Sequence, residues 1–546
     1  MSRFIGGNDL IERPSRPMSP NALFSSSHWD FQLLKRVDPH IAEIAFGELG
    51  LDIYPIQYEV ITSEQMLDAY ASVGLPLMYR HWSFGKRFAY HETLYRKGLQ
   101  GLAYEIVINS NPVICYIMEE NTALMQTLVM AHAAYGHNHF FKNNYLFRQW
   151  SDAGAILDYL AFARDYVSKC EEKYGQKAVE LVLDAAHALK EHGVFRSTHR
   201  AWDPRRQADQ LQARLEDFDH SVDLVLDSTM PANVQRRARP HVPEEQRRRL
   251  IQDELPAENL LYIIEQFAPG LPEWKRELIR IVRTVNQYFY PQKQLQVMNE
   301  GCATFCHYYI LNRLFDKGLL PEGAMLEFLH SHSSVVFQPD FDDSRFSGFN
   351  PYALGFAIMR DIHRICTNPT EEDREWFNQP DAFTGETIAG NRDPYSTLRH
   401  IWANYRDESF IAQYLSPAVI RQFRIFTVED DQSKPAMRVA AIGVDERDSY
   451  RRIRTALSHR YDLSRLEPDI QAVDADLSGD RVLHLVHRTY DGIHLEEKTC
   501  RSVLGYAAAL WGYPVKLEER KYETNTDGTP SDKILRSFDG SPPARR

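Results

Sequence analysis

The sequence predicts a mainly α-helical protein: a large helical domain carrying a zincin-like metal site, followed by a small C-terminal α+β domain. Three observations predict it. Apolar residues recur at helical spacing over most of residues 26–415. After about residue 416 the pattern turns to strand-like alternation around two helices. Two segments, "VMAHAAYGHNHFFKNN" and "VMNEGCATFCHYY", carry histidines and a glutamate suited to a metal shell.

Residues 1–25, rich in Pro, Ser and Asn, read as a flexible tail. "HWDFQLLKRVDPHIAEIAFGELGL" and "TSEQMLDAYASVG" read as helices, the second capped by Thr62 or Ser63, and the pattern stays mostly helical to Gly193. "SDAGAILDYLAFARDYVSKCEEKYG" is amphipathic, with Ser151 as its cap and Gly175 as its stop. Residues 196–256 are Arg-rich and interrupted by Pro240, Pro243 and Pro256. They read as a partly mobile insert whose charge run is a solvated face. Helical spacing returns at "ENLLYIIEQF" and continues to "YALGFAIMRDIHRIC", with loops near 332–350 and 380–396. Residues 416–520 read as ββαββαβ with mostly antiparallel strands, and 521–546 as a flexible polar tail.

A net charge of −12 argues against a generic nucleic-acid binder. Six scattered cysteines in 546 residues do not make a disulfide framework and point to a reducing compartment. The N-terminus lacks the apolar run of a secretory signal, and no apolar run approaches the ~18 residues of a membrane span. The expectation is a soluble cytoplasmic protein. No GxxxxGK[ST], GxGxxG or GxSxG occurs, so nucleotide hydrolysis, Rossmann binding and serine hydrolysis lack a motif. Lys86, Arg87, Lys142 and Arg148 sit among aromatics and suit an anionic ligand, but a loop packed by Trp82 and Phe84 is the favoured reading.

On a helix, Glu300 and His307 are two turns apart and share a face. His132 and His137 are about 140° apart on an ideal α-helix, and a π-bulge near Gly136 would bring them to one side. Two histidines from one helix and a glutamate from a later one is the layout of thermolysin-like zinc peptidases, with zinc or another divalent metal as cofactor. Those enzymes use His-Glu-x-x-His, whose Glu is the general base. Ala133 stands there in this chain, so Glu119 or Glu120 of "MEENT" is the nearest candidate base. A di-iron bundle is a lower-ranked alternative, since its Glu-x-x-His spacing is missing. His139 is not expected to ligate, Asn143 and Asn144 suit a cap, and Cys302 and Cys306 read as small packing residues.

Taken in order, "LMYRHWSFGKRF", "GLAYEIVINSNPVICYIMEENT", "AHAAYGHNHFFKNNYLF", "YFYPQKQLQVMNEG", "LEFLHSHSSVVFQP" and "NPYALGFAIMRDI" resemble the SpoVR family, the stage V sporulation protein R-like proteins. The likeness runs from about residue 26 to 520. It departs at Cys302 and Cys306, where "NEGWATFWHY" is expected. The resemblance implies a bacterial protein of stress, starvation or sporulation (cortex) physiology. It also implies a serine protein kinase and a von Willebrand A-like domain protein as partners. Two functions remain in play: a metal-dependent hydrolase, or a non-catalytic regulator or scaffold acting with the kinase module.

Overall fold

The structure, a computed structural model, describes residues 21–71, 78–83, 86, 89–90, 105–196, 251, 254–380, 385–390, 392–426, 428–430, 439–441, 447–477, 479–489, 493–524 and 530–542. Nearly all of the Arg-rich insert, and the N-terminal tail to residue 20, lie outside the described residues.

Helix α1 (Phe31–Gly47) starts where Asp30 accepts the Leu33 N–H, and it buries Leu33, Val37, Ile41 and Ile44 on one face. Strand β1 (Ile56–Ile61) leads into α2 (Ser63–Ala71). Thr62 and Gln65 cap α2 reciprocally: the Gln65 N–H reaches Thr62 Oγ1 and the Thr62 N–H reaches Gln65 Oε1. Strands β2 (Glu105–Ile108) and β3 (Val113–Met118) complete a sheet of order β1-β3-β2, with β1 parallel and β2 antiparallel to β3. The helical reading to Gly193 missed this sheet. "VICYIM" is a short unbroken apolar run, and periodicity alone does not separate such a strand from a buried helix.

After β3 come α3 (Ala123–Val129), a π-helix (Met130–His137), α4 (Asn138–Asn143) and α5 (Tyr145–Trp150), the last capped by Asn144. Helix α6 (Ile156–Tyr174) stops at Gly175, whose φ of 86° suits glycine. Its start differs from the expected Ser151 cap: Asp152 Oδ1 takes the Gly154 and Ala155 N–H groups instead. Then follow α7 (Gln176–Ala188), α8 (Leu260–Phe267), α9 (Glu273–Lys293), α10 (Gln296–Asp316), α11 (Glu322–Val335) and α12 (Pro351–Thr367). Beyond them lie α13 (Pro394–Asn404), α14 (Asp407–Tyr414), α15 (Pro417–Gln422), the pair β4 (Val428–Asp430) and β5 (Val439–Ala441), and α16 (Arg447–His459). A second sheet uses β6 (Asp469–Ala475), β7 (Leu483–Arg488), β8 (Val515–Thr524) and β9 (Pro530–Gly540). Its pairs run antiparallel, parallel and antiparallel, with α17 (Glu497–Trp511) as the crossover between β7 and β8.

Two hydrophobic cores result. The first joins α1, the π-helix, α10, α12, α13 and α14, and takes in Ile453 and Leu457 of α16. The second packs Leu183, Leu261 and Val282 of α7–α9 against Leu485, Trp511 and Phe538 of the C-terminal unit. The expected boundary at residue 416 therefore shifts. Helices α15 and α16 belong with the helical domain, and the α+β unit begins at β6. "RQFRIFTVED" is not one strand: α15 occupies its start and β4 only its end. The expected tail past residue 521 instead holds the end of β8 and the whole of β9. An edge strand needs few apolar residues, so β9 reads as polar, and Phe538 is its one large apolar side chain that is buried among the described residues.

β9 is held by Glu519 on β8. This carboxylate accepts from Arg536 at 2.8 and 3.0 Å and from the Leu495 N–H at 3.0 Å. Burial by itself would raise its pKa, but Arg536, the Leu495 amide and His494 outweigh burial and hold it at about 2. The folded value lies below the unfolded one, so this stabilisation is full above about pH 4.5 and is lost as pH falls through 2. It corresponds to about 3 kcal/mol at pH 7. Glu519→Gln should lower unfolding free energy by about that much at pH 7 and flatten its acid dependence. Urea melts at neutral and acidic pH check this, and an unchanged acid profile would contradict it.

Candidate metal centre

The centre begins with a backbone contact. Gly136, in the π-helix, faces Ala303 of α10 so closely that a Cβ at 136 would lie 2.6 Å from the Ala303 Cα. On the other side of α10, a Cβ at Gly301 would lie 2.7 Å from the Gly355 Cα of α12. Helix α10 is thus clasped between two neighbours at distances only glycine permits. Its first turn is fixed by Asp407, whose carboxylate accepts the Val297 and Met298 N–H groups at 2.8 and 2.9 Å. Glu300 follows directly.

The π-helix supplies the other half. The Asn138 N–H reaches back five residues to the Ala133 carbonyl, so five residues close about one turn. His132 and His137 become neighbours, with ring centroids 4.7 Å apart. This is the bulge that the spacing of the two histidines calls for. A third contribution comes from the sheet. Glu105, at the start of β2, reaches His132 Nε2 with its Oε1 at 3.6 Å.

Glu105, His132 and His137 each present a ligand atom, and the three lie within 4.8 Å of one another. Glu300 Oε2 lies 3.8 Å from His132 Nε2 and 3.5 Å from His137 Nε2. This group of imidazoles and carboxylates could hold a metal ion. Both imidazoles are buried, while the Glu105 and Glu300 side chains are 17% and 19% exposed, so the carboxylate side opens to solvent. Burial raises the Glu105 carboxyl, with His132 offsetting only part of this. Burial also opposes ionisation of Glu300, but the His137 and His132 imidazoles more than compensate and hold it below its ordinary value. Burial pushes His137 down to about 4. For His132, the carboxylates of Glu300 and Glu105 outweigh burial and raise its pKa.

Behind His132 and His137 stands a fixed set of partners. His137 Nδ1 donates to Asn299 Oδ1 at 2.9 Å. His132 Nδ1 meets His307 Nδ1 at 2.9 Å, and His307 Nε2 meets His332 Nδ1 at 3.0 Å. His307 therefore sits behind His132 rather than beside the carboxylates. It shares a face with Glu300, but seven residues of helix separate the two by about 10 Å along the axis. Glu119 and Glu120 do not converge on the group either. Both are exposed at the turn after β3, and Glu120 Oε1 accepts the Ser63 N–H. His139 faces the other way, its Nδ1 accepting the Asp52 N–H. Cys302 and Cys306 are buried in the first core, with the Cys302 thiol near the Gly136 carbonyl at 3.9 Å. Lys142 pairs with Asp52, Arg148 and Lys86 are exposed, and Arg87 lies outside the described residues.

Glu105 is the residue that sequence reasoning missed. Its signal is a single carboxylate heading the otherwise apolar strand "EIVI". Without the sheet there was no reason to bring it to the histidines.

Residues 28–466 match a family model described as SpoVR like protein, and residues 468–522 one described as SpoVR-like C-terminal domain. The second begins one residue before β6, in agreement with the structural boundary. An Escherichia coli (strain K12) protein, "Uncharacterized protein YcgB", is 52% identical over 503 residues, covering 92% of this chain and 94% of its own. No solved structure matches. Among the described residues, no helix is long and apolar enough to cross a membrane.

Gly136→Ala tests the clasp. Alanine favours helix by up to about 1 kcal/mol, but its methyl would meet the Ala303 backbone, and overpacking of that kind costs about 1–3 kcal/mol. The net expectation is a lower melting temperature. Gly323→Ala, at a helical site with nothing within 4 Å, should leave the melting temperature unchanged or slightly higher. Equal effects of the two substitutions would show that the contact is not tight.

Proposed function

The chain belongs to the SpoVR family, and on that footing we propose that it is a metal-dependent hydrolase. His132, His137 and Glu300 hold zinc or another divalent ion, and Glu105 serves as general base. Glu300 Oε2 carries the reading. It is buried, has no hydrogen-bond partner among the described residues, and lies between two imidazole nitrogens at 3.5 and 3.8 Å. Those separations are too long for hydrogen bonds. They suit neighbouring ligands of a tetrahedral ion, which stand about 3.4 Å apart when each is ~2.1 Å from the metal. An ion there satisfies an oxygen whose unpaired burial costs about 1–3 kcal/mol.

Such an ion supplies Lewis acidity toward a carbonyl or phosphoryl oxygen. The protein does the rest. Asn299 accepts a hydrogen bond from the His137 Nδ1–H and leaves Nε2 free to ligate, and His307 does the same for His132. Glu105 replaces the base that the missing His-Glu-x-x-His glutamate would provide. It reaches the group from the sheet rather than from the histidine helix, and its Oε1 accepts the proton of the attacking water. A peptide or cell-envelope polymer is the proposed substrate class. Family expectation adds a cytoplasmic setting, stress, starvation or sporulation physiology, and a serine protein kinase and von Willebrand A-like protein as partners.

Elemental analysis of protein purified without chelator, beside complementation of a strain lacking the gene, tests this. Wild-type protein should carry stoichiometric metal. Glu300→Ala and His132→Ala should carry none. Glu105→Gln should keep the ion and fail to complement, because glutamine preserves size but cannot take up a proton. Full metal content in Glu300→Ala would defeat the reading. Loss of metal in Glu105→Gln would make Glu105 a ligand and leave the base unassigned.

A further inference from the structure

A cavity of about 730 Å³ opens where α10, α11 and α12 meet. Pockets of roughly 300–1,000 Å³ lined by aromatics with a few convergent polar groups are the usual form of small-molecule sites. This one is walled by Tyr308, Phe356 and Phe423 and carries Arg360, His332 and His363. None of Glu105, His132, His137 and Glu300 lines it: His332 forms part of its wall, and His307 stands between His332 and His132.

The charges in the cavity are unequal in kind. Arg364 is neutralised by Asp361 and Asp373, at 2.8 and 2.7 Å. Asp361 is also used by Ser416, whose hydroxyl donates to it at 2.6 Å. Arg360 has no carboxylate partner among the described residues. Its guanidinium lies over the rings of Tyr308 and Phe356, 5.6 Å from each centroid. A cation held against ring faces spends none of its N–H groups on them, and those N–H groups suit a carboxylate or phosphate gripped through two parallel bonds. The nearby His363 imidazole is held below its ordinary value by burial first and by Arg360 second.

We propose that this cavity binds an organic anion, its carboxylate or phosphate held by the edge of Arg360 and its apolar body by Tyr308, Phe356 and Phe423. The site does not depend on the metal reading. Because His332 both lines the cavity and ends the imidazole chain from His132, a ligand there contacts the support of the metal centre without entering its mouth.

Calorimetric titration of the full chain with benzoate, phenyl phosphate, inorganic phosphate and benzyl alcohol tests it. Benzoate or phenyl phosphate should bind saturably, and benzyl alcohol and inorganic phosphate more weakly, since each lacks one half of the ligand. Arg360→Gln should weaken the preferred probe by about tenfold or more, the scale of one charge-assisted pair. Arg360→Lys, which keeps the charge and loses the fork, should fall between. Preference for benzoate assigns a carboxylate and preference for phenyl phosphate a phosphate ester. The same titration in Glu300→Ala should be unchanged, which separates this cavity from anion capture by an ion at the other site. Absence of saturable binding by both aromatic anions, equal affinity in Arg360→Gln, or loss of binding in Glu300→Ala overturns the proposal.

Discussion

The candidate metal centre depends on two helices touching backbone to backbone. Gly136 and Ala303 bring the π-helix and α10 nearer than any larger side chain would allow. Everything at the site is measured from that contact. His132 and His137 project from one helix and Glu300 from the other, and ligands of one ion must agree to within tenths of an ångström. The bulge that turns both histidines the same way sits at the contact itself, since Gly136 is inside it. Gly301 and Gly355 repeat the device on the far side of α10. Close packing of backbones leaves α10 little freedom to slide, and Asp407 fixes its first turn.

What was legible in the sequence follows from what helical periodicity encodes. Direction around an axis can be counted, so the shared side of His132 and His137 across a bulge could be inferred from their spacing. Height along the axis and the identity of the neighbour cannot be counted in the same way. His307 shows the first limit: the right face placed it two turns from Glu300, behind His132. Glu105 shows the second, since a residue on a strand joins the site only through sheet pairing of segments far apart in the chain. Glu119 and Glu120 were favoured for nearness along the chain, yet they lie just past the end of the strand that Glu105 pairs with, and their side chains face solvent. In the C-terminal region the strands and helices were readable from alternation and turn residues. The allegiance of α16 was not, because an amphipathic helix announces that it packs and not what it packs on.

The imidazole chain carries its own internal logic. If His132 ligates through Nε2, its proton must be on Nδ1 and is donated to His307 Nδ1. His307, buried and pushed well below its ordinary pKa by burial and by its histidine neighbours, is neutral, so its proton is on Nε2 and goes to His332 Nδ1. One requirement at the centre thus fixes the tautomer of three rings in succession. Every N–H in the series points away from the carboxylates.

The division of the hydrophobic interior has a meaning for how the chain holds together. Helices α7–α9 lie within the segment matched by the first family model, yet they bury their apolar faces on the sheet and crossover helix of the second. The boundary between the two matched regions falls at β6, but the second hydrophobic core spans it. Cooperativity between the two matched regions runs through Leu261, Val282 and Trp511 rather than through a linker. A lesion in the C-terminal sheet would loosen helices far earlier in the chain, because the two share one interior.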